Sequence, residues 1–454
     1  MVEVPVKMYV DKLLRLLRET ARPMSLLSGP TKDRALRLMA ANVAEAEEAI
    51  LQANEQDVEA IGKTMAGESN RERVREAVAR VRMTADDVKA IVDRLNRIAD
   101  LPDPLSEVIE QHDEPNGMQV ARMRSPLGVI GVVSEMAPLA TIDSIALCLK
   151  SGNVCVFRGS ADWTQTQQVI AGCLYRAAEE AGVPKNGFLL IERQEKEVAL
   201  ELIRAGKALD AIIPRGGAGL RKVVQEQAKM PILSHDGGIT HVYIDEDADI
   251  PMAQNIVINS KVQQANAANS CDTLLVHQGL ARPLLPALIL RLLDEFKVDV
   301  IGCPKTVALM GQMLMTGHKA VKAADEGDWN KQFQGLSINI KMVPSFDDAV
   351  SHIVQHGPSH TCTIVTKSYA SALRFSREID AGTVLVNAST RLNAGDSLGL
   401  GADVGLSCSR LHARGPIGLR QLTCEKYVVF GSGQLRQPHP VPLTYTDAIM
   451  LKRP

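Results

Sequence analysis

The chain has 454 residues, a formal net charge of −2 and no long basic block. This length allows two or three domains with a buried core, and the charge pattern excludes the usual signature of nucleic-acid or anionic-membrane binding. No run of about 18 apolar residues could span a bilayer, and no signal-peptide pattern is present at the N-terminus. The eight cysteines form no CxxC pair, so we expect a cytoplasmic protein with reduced thiols and no metal site.

The first hundred residues are predicted to be helical, because apolar residues recur at helical spacing from about residue 10 to 100, as in Ala40–Leu51. The polar, proline-bearing stretch Leu101–Gly117 is interpreted as a connection. Residues Met118–Arg124 then alternate between apolar and polar side chains, which is typical of an exposed hairpin strand.

From residue 129 onward, continuous apolar strands alternate with helices, which predicts a parallel sheet covered on both faces. A second α/β series follows from about Ile256 to Asn387. The fold class is therefore predicted to be α/β with two parallel-sheet domains. The first series has strands at Val129–Val133, Gly152–Phe157, Phe188–Ile191 and Leu209–Pro214, and helices at Ile142–Lys150, Thr164–Ala181 and Glu197–Arg204.

Four short segments carry candidate chemistry, and each also has a plain structural explanation. Ile213–Leu220 is a glycine-rich turn between a strand and a helix, where backbone N–H groups can hold a phosphate. Ser134–Pro138 follows the strand at 129–133, at a sheet edge that often binds ligands. Ser234–His241 contains two histidines and an aspartate, which suit an acid–base pair, a metal site or simply a polar loop. Asn387–Arg391, with the later loops at 398–402 and 412–416, could hold a carboxylate or phosphate.

Six motifs occur in the order and spacing of one family: Pro126–Val132, Leu147–Asn153, Ile213–Gly217, His241–Tyr243, Val386–Arg391 and Leu411–Pro416. Over roughly residues 25 to 435 the chain resembles gamma-glutamyl phosphate reductase, also called glutamate-5-semialdehyde dehydrogenase, of the aldehyde dehydrogenase superfamily. The resemblance implies NADPH-dependent reduction of an acyl phosphate in proline biosynthesis, with release of phosphate and an aldehyde.

The resemblance also implies an aldehyde-dehydrogenase-like arrangement of domains. Residues 1–107 and 127–254 would form an NAD(P)-binding-type domain with a helical N-terminus, and residues 255–425 a catalytic-type domain. Residues 108–126 and 426–454 would form a small oligomerisation arm, which should pack on another subunit because a lone two-stranded arm is unstable in water. We therefore expect a homo-oligomer, either a dimer or a tetramer.

The nucleophile loop departs from this family. The family pattern K-x-Q-R-P-x-x-C-N-x-x-E-T aligns without a gap on Lys261–Thr273. The family's Arg, Pro, Cys and Glu are replaced by Gln264, Ala265, Ala268 and Asp272. The family thiol attacks a carbonyl and forms a covalent intermediate, but alanine cannot do so. Cys271, three residues later, is the one thiol in this segment.

Further departures affect the implied ligand sites. The family turn Y-E-[SA]-R-P-N becomes Ser134–Leu139, so its Arg and Asn are absent, and the superfamily's cofactor-ribose glutamate becomes Gln332. The resemblance implies an NADP site at Arg158, Gly159, Ser160, Arg215, Gly216, Gly217 and Gln332. It implies substrate contacts at Asn387, Ser389, Thr390 and Arg414. We expect NADP binding to be weakened or lost, since Gln332 lacks the charge of the glutamate.

Three hypotheses follow. The protein is a reductase or dehydrogenase of altered substrate range, with Cys271 brought into the pocket as a relocated nucleophile. Alternatively, it is a pseudoenzyme that keeps the fold and the oligomer interface and acts through a protein partner. In the third hypothesis, the pocket hosts different chemistry without a covalent thiol. We expect little or no glutamate-semialdehyde dehydrogenase activity and a structural role for Cys271.

Overall fold

A computed structural model of the protein describes residues 4–66, 68, 70–233, 237–311, 321–357 and 360–435. Helices cover the N-terminal region, as predicted. They begin at side-chain caps where the sequence supplies them: Ser28 accepts a hydrogen bond from the N–H of Thr31, and Thr84 and Asp87 cap each other's backbone. These helices are α1 (Val6–Ser25), α2 (Gly29–Glu45), α3 (Glu47–Thr64), α4 (Arg71–Val81) and α5 (Ala85–Ala99).

The first sheet has four parallel strands in the order β5-β4-β3-β6. Its central strand β3 is buried along its whole length because helices cover both faces. The elements of this part are β3 (Val129–Ser134), α6 (Pro138–Lys150), β4 (Val154–Arg158), α7 (Thr164–Ala181), β5 (Phe188–Leu190), α8 (Lys196–Ile203), β6 (Ala211–Arg215) and α9 (Ala218–Gln227).

The second sheet has seven parallel strands in the order β10-β9-β11-β8-β7-β12-β13. Alternate residues face opposite sides, so Val242 and Leu274 enter one core while Tyr243 and Leu275 enter another. Its elements are β7 (His241–Ile244), α10 (Ile250–Val262), β8 (Thr273–His277), α11 (Gln278–Leu290), β9 (Asp299–Gly302), α12 (Pro304–Gly311), β10 (Lys322–Ala323), β11 (Ser337–Val343), α13 (Phe346–His356), β12 (Thr361–Val365), α14 (Tyr369–Glu378) and β13 (Thr383–Val386).

The domain boundaries differ from the predicted ones. Strand β7 is hydrogen-bonded to β8 and β12, so residues 241–244 belong to the second sheet and the predicted boundary at 254 falls too late. Past β13 the chain returns to the first domain, where Ala402, Ile417 and Leu422 are buried in the core formed with the N-terminal helices. Residues 255–425 are therefore not one separate domain.

A three-stranded antiparallel sheet forms the arm, in the order β1-β2-β16. Its strands are β1 (Val108–Asp113), β2 (Gln119–Pro126) and β16 (Thr423–Phe430), while β14 (Leu406–Ser407) and β15 (Gly415–Pro416) form a separate two-stranded pair. Strand β1 lies within the stretch that was interpreted as a connection. The predicted arm residues 436–454 lie outside the described residues.

Short helical turns complete the described chain. Turns of 3-10 helix lie at Pro104–Ser106, Ala161–Trp163, Gly206–Ala208, Asp328–Asn330, Thr390–Leu392 and Arg420–Leu422, and a π-helical turn lies at Arg291–Glu295. Within the described ranges, no helix combines the length and the apolar character needed to cross a membrane.

Candidate functional site

The first sheet has a topological switch point between β3 and β6. After β3 the chain proceeds to β4 and β5 on one side, and it then returns to β6 on the other side. Open parallel sheets bind ligands at such a point, beyond the carboxyl ends of the strands. Glu135, which follows β3, and the glycine turn Gly216–Gly217, which follows β6, meet there. The Glu135 N–H donates to the carbonyl of Arg215 at 2.7 Å, and its carboxylate accepts from the Gly217 N–H at 3.1 Å.

The ends of two side chains lie close to two of the predicted cofactor glycines. A Cβ at Gly216 would lie 2.4 Å from Oε2 of Glu135, and a Cβ at Gly159 would lie 1.7 Å from Oε1 of Gln167. Both distances are far below van der Waals contact. Helix α9 begins directly after this turn, and the free N–H groups of a helix N-terminus can hold a phosphate. The residues here therefore fit the pyrophosphate end of a dinucleotide.

The polar side chains predicted to contact the cofactor are partly engaged elsewhere. Arg158 donates to the carbonyl of Gln194 at 2.9 Å, and burial lowers the pKa of its guanidinium. The hydroxyl of Ser160 accepts from the N–H of Asp162 at 3.3 Å and so caps a short helical turn. Arg215 donates to the carbonyl of Asp403 at 3.1 Å. The side chain of Arg215 thus connects the glycine turn to the 403 loop, which makes it a positioning residue.

Ala268 occupies the position where the resemblance places the nucleophile. It is half-buried in a series of turns between α10 and β8. Its carbonyl oxygen accepts from the hydroxyl of Thr240 at 3.1 Å and from the amide Nε2 of Gln332 at 3.4 Å. Gln332 therefore lies beside Ala268, and its amide N–H group is directed to the loop. Its Oε1 remains able to accept a hydrogen bond from a ribose hydroxyl.

Cys271 lies in the core and not in the pocket. Its side chain is fully buried, and its thiol donates to the carbonyl of Thr273 at 3.6 Å. Burial raises the pKa of this thiol to about 12; the charge of Asp272 adds to the increase and that of Lys261 opposes it. A catalytic cysteine needs a lowered pKa and access to solvent. The structure therefore argues against Cys271 as a relocated nucleophile, since both conditions fail.

Alkylation of the native protein is expected to separate Cys271 from the exposed Cys424. A brief treatment with iodoacetamide should modify Cys424, whereas Cys271 should stay unmodified because its thiol is buried and protonated. Peptide mass spectrometry measures both sites, and the same treatment after unfolding in urea should modify both. Rapid modification of Cys271 in the native protein would show that the thiol reaches solvent.

Two buried titratable side chains lie behind the loop, and no ion pair joins them in the described structure. Lys261 and Asp272 are both almost fully buried. Burial raises the pKa of Asp272 to about 7, although N–H groups of Thr240 and Phe333 oppose this by donating to its carboxylate at 3.0 and 2.8 Å. Burial lowers the pKa of Lys261, and Asp272 and Cys271 partly offset this decrease. The two hydrogen bonds to Asp272 hold the chain directly before β8, next to the turn that carries Ala268.

The residues predicted to bind substrate mostly build the turn after β13. Asn387 adopts a positive φ of 54° and exchanges two hydrogen bonds with the backbone of Thr366, both at 2.9 Å. Ser389 lies 3.1 Å from the hydroxyl of Ser260, and Thr390 is fully buried. Arg414 forms an ion pair with Asp380. Each of these side chains already has a structural contact or is buried, and their contact with a substrate stays a prediction.

Arg391, which ends the candidate segment Asn387–Arg391 but was not among the substrate contacts that the resemblance implies, is the cation that reaches the nucleophile loop. It donates to Oε1 of Gln263 at 2.8 Å and to Oε1 of Gln264 at 2.7 Å, and it also donates to Oδ1 of Asn269. The signal in the sequence was its place in the polar segment after a strand. Sequence reasoning did not show which of the nearby arginines would lack an acidic partner.

A histidine cluster lies behind the start of β7. His241 is fully buried, and its Nδ1–H donates to the carbonyl of Ile239 at 2.9 Å. The ring of His352 packs edge-on to it, and Nδ1 of His352 accepts from the ammonium of Lys341 at 2.9 Å. Burial lowers the pKa of His241 to about 4, and burial together with Lys341 lowers that of His352 to about 2. His356 packs on His352 at the outer side. His235 and Asp236 of the predicted polar segment lie outside the described residues.

Acid is expected to destabilise the protein less when His241 is replaced by asparagine, whose amide keeps an N–H donor near Ile239. Below its ordinary pKa of about 6.5, the unfolded histidine binds a proton that the folded one excludes until about pH 4. Between about pH 7 and pH 5, the parent should therefore lose about 2 kcal/mol more stability than His241→Asn. Urea denaturation at both pH values measures this difference. An identical loss in both proteins would show that His241 is protonated in the fold.

Comparisons with known proteins agree with this architecture. A model of the aldehyde dehydrogenase family matches residues 7–301. Gamma-glutamyl phosphate reductase of Moorella thermoacetica is 40% identical over 420 residues, and that of Heliobacterium modesticaldum is 38% identical over 419 residues; each alignment covers 92% of this chain and 97% of the relative. The crystal structure of gamma-glutamyl phosphate reductase from Thermotoga maritima is similar with a TM-score of 0.85 at 33% identity, covering 94% of this chain and 100% of that one. The chain therefore belongs to the gamma-glutamyl phosphate reductase family within the aldehyde dehydrogenase superfamily.

Proposed function

We propose that this family member is a catalytically impaired or repurposed gamma-glutamyl phosphate reductase-like protein. The proposal rests on what the structure shows at two positions, Ala268 and Cys271. Ala268 stands at the nucleophile position, and the thiol nearest in sequence is fully buried with a pKa raised to about 12. Without a reactive thiol, the covalent intermediate that divides acyl-phosphate reduction into two easier steps cannot form at this position.

The turn after β3 supports the same conclusion. Met136 is 46% exposed there and offers no hydrogen-bond donor from its side chain. Ala137 offers none either, and it stands where the family has an arginine. A donor that stabilises a developing oxyanion contributes about 2.7–4 kcal/mol to catalysis. The chain therefore lacks both the nucleophile and a side-chain donor that the family pattern would supply.

The proposed cofactor is NADP, held at the switch point by the Gly216–Gly217 turn and the start of α9, and near Ala268 by Gln332. A bound nicotinamide cofactor would supply hydride chemistry. The carboxamide of Gln332 accepts a ribose hydroxyl less strongly than a carboxylate does, since a hydrogen bond to a charged group contributes about 1.5–3 kcal/mol. The affinity for NADP is therefore expected to be about tenfold to a hundredfold below that of a family member with glutamate at this position.

The active alternative is an NAD(P)-dependent reductase or dehydrogenase of an acyl phosphate or aldehyde that uses Cys271. It would require Cys271 to leave the core, and this movement would also displace Asp272 from the N–H groups of Thr240 and Phe333. An uncompensated buried charge costs about 3–5 kcal/mol. The structure offers no contact that would offset this cost, so the impaired protein is the proposal that the geometry supports better.

The protein is proposed to form a homo-oligomer through the arm. If it is a pseudoenzyme, a protein partner would bind to this same fold. Supporting this, β16 exposes Tyr427 and Val429 on one face of a sheet of three strands, and Phe430 at its end is exposed as well. Neighbouring exposed apolar side chains are typical of interaction surfaces. Analytical ultracentrifugation of the full chain should show a dimer or tetramer, and replacement of these three side chains with serine should yield monomers.

The direct test of the proposal separates binding from chemistry. Isothermal titration calorimetry with NADPH measures cofactor binding, and an NADP-linked assay with glutamate semialdehyde and phosphate measures turnover. We expect weak NADPH binding and turnover at the background rate. Turnover well above background in the unmodified protein would contradict the proposal, whatever the affinity for NADPH.

A further inference from the structure

We infer that acid releases the segment Asp328–Phe333 from the nucleophile loop, and that a cluster of His352, His356 and Lys341 controls this release. This cluster is called the His–Lys cluster below. Neither turnover nor a bound cofactor enters the inference, which therefore goes beyond the proposed function. The contacts at the two ends of the segment and the charges around the His–Lys cluster support it.

The end of the segment holds the nucleophile loop. The amide Nε2 of Gln332 donates to the carbonyl of Ala268 at 3.4 Å, and the N–H of Phe333 donates to the carboxylate of Asp272 at 2.8 Å. Both acceptors lie in the short stretch between α10 and β8. Release of the segment would therefore remove two hydrogen bonds that hold this side of the candidate site.

The start of the segment rests on the His–Lys cluster. The ring of Trp329 packs edge-on against the ring of His352, with centroids 5.5 Å apart, and the ammonium of Lys341 lies 5.3 Å from the centre of the same indole. Nδ1–H of His356 donates to Oδ1 of Asn330 at 2.8 Å. Since Trp329 covers one side of the buried His352, release of the segment exposes this imidazole to water.

The His–Lys cluster gathers positive charge with little negative charge beside it. His352 faces Lys341 of β11, His241 of β7 and His356 of its own helix, and its Nδ1 accepts from Lys341 at 2.9 Å. Among the described residues, no carboxylate forms an ion pair with these four side chains, although the charge of Glu326 favours the protonation of His356. Each proton that a histidine binds here therefore adds a like charge beside the ammonium.

Acid favours the released segment because the closed His–Lys cluster excludes protons. Burial, with a further contribution from Lys341, lowers the pKa of His352 to about 2, and burial also lowers the pKa of His356. A histidine in water has a pKa of about 6.5, so the exposed His352 binds a proton below that pH. Between about pH 7.5 and pH 5.5, the ratio of released to closed segment should therefore rise about tenfold through His352 alone.

Hydrogen–deuterium exchange of the full chain at these two pH values tests the inference. Mass spectrometry with fragmentation resolves single amides, and the intrinsic exchange rates are divided out. The reporter is the N–H of Phe333. The N–H of Thr240 is the internal control, because it also donates to the carboxylate of Asp272, at 3.0 Å, but lies outside the segment. Burial raises the pKa of Asp272 to about 7, so its protonation in this range would affect both N–H groups alike.

Two variants complete the experiment. His352→Gln replaces the titrating ring with a neutral amide whose oxygen can still accept from Lys341. His112→Gln is the matched control, because His112 is exposed on the arm and contacts Glu114 there. Circular dichroism confirms that each variant is folded at both pH values.

We expect the opening constant at Phe333 to rise about tenfold or more in the parent and in His112→Gln, while that at Thr240 changes little. In His352→Gln the rise should be about tenfold smaller. An equal rise at Phe333 and Thr240 assigns the effect to Asp272 and overturns the inference. A full rise in His352→Gln, or no rise in the parent, overturns it as well. If His352→Gln does not fold, the comparison of Phe333 with Thr240 in the parent decides.

Discussion

Replacing Asp272 with alanine is expected to lower the free energy of unfolding by about 2–5 kcal/mol at about pH 8, where the carboxylate is ionised. The substitution leaves the N–H groups of Thr240 and Phe333 without the acceptor that lies 3.0 and 2.8 Å away. It also removes the negative charge that raises the pKa of the buried Lys261 ammonium. A buried N–H group that loses its acceptor is costly because it has lost its water as well.

Urea denaturation followed by circular dichroism measures this effect. The matched control is Asp347→Ala, since the side chain of Asp347 is 71% exposed and its ion pair should contribute less than about 1 kcal/mol. Adding Lys261→Met to Asp272→Ala should restore part of the lost stability, because it removes a buried charge that no carboxylate then offsets. A loss below about 1 kcal/mol in Asp272→Ala would mean that water replaces the lost acceptor.

Replacing Ala268 with cysteine is expected to create a reactive thiol where the parent has none. Ala268 is half-buried at the surface of the site, whereas Cys271 is fully buried. Iodoacetamide should therefore modify the introduced thiol in the native variant, and acetyl phosphate should leave an acetyl adduct on it that intact-mass spectrometry detects. Turnover should stay far below that of an active reductase, because Met136 and Ala137 still supply no side-chain donor.

The control for this experiment is the same variant in a Cys271→Ala background, where the adduct should persist. An adduct that peptide mass spectrometry locates on Cys271 of the parent, or the loss of the adduct when Cys271 is removed, would assign the reactivity to Cys271. An unreactive but folded Ala268→Cys variant would show that position 268 does not face the pocket.

The strands of the first sheet could be predicted because burial on both faces requires long apolar runs, as in Val129–Val133. Strand β1 could not be predicted from periodicity, although the resemblance implied an arm at 108–126, since its exposed residues Glu110–Asp113 are polar and it is stabilised by pairing with β2. The sheet to which β7 belongs was also missed. Its apolar sequence predicts a buried strand. The strands with which it pairs depend on the path of the chain, and hydrophobic periodicity gives no information about that path.

The glycine turn and the loop aligned with the family pattern predicted where the candidate site lies. The sequence did not predict the roles of single side chains there. Asn387 looked like a ligand contact, but its positive φ and its contacts with Thr366 make it part of a turn. Arg414 and Arg391 are the same residue type in similar polar segments. Only the fold shows that Asp380 neutralises the first and that amides surround the second.

The most direct test of the account compares the parent with Cys271→Ala in one NADP-linked assay with glutamate semialdehyde and phosphate. The account predicts that both proteins are folded and that both remain at the background rate, since Ala268 cannot attack a carbonyl and Cys271 is packed in the core. Robust turnover by the parent, together with a folded but inactive Cys271→Ala variant, would contradict the account and establish Cys271 as the nucleophile.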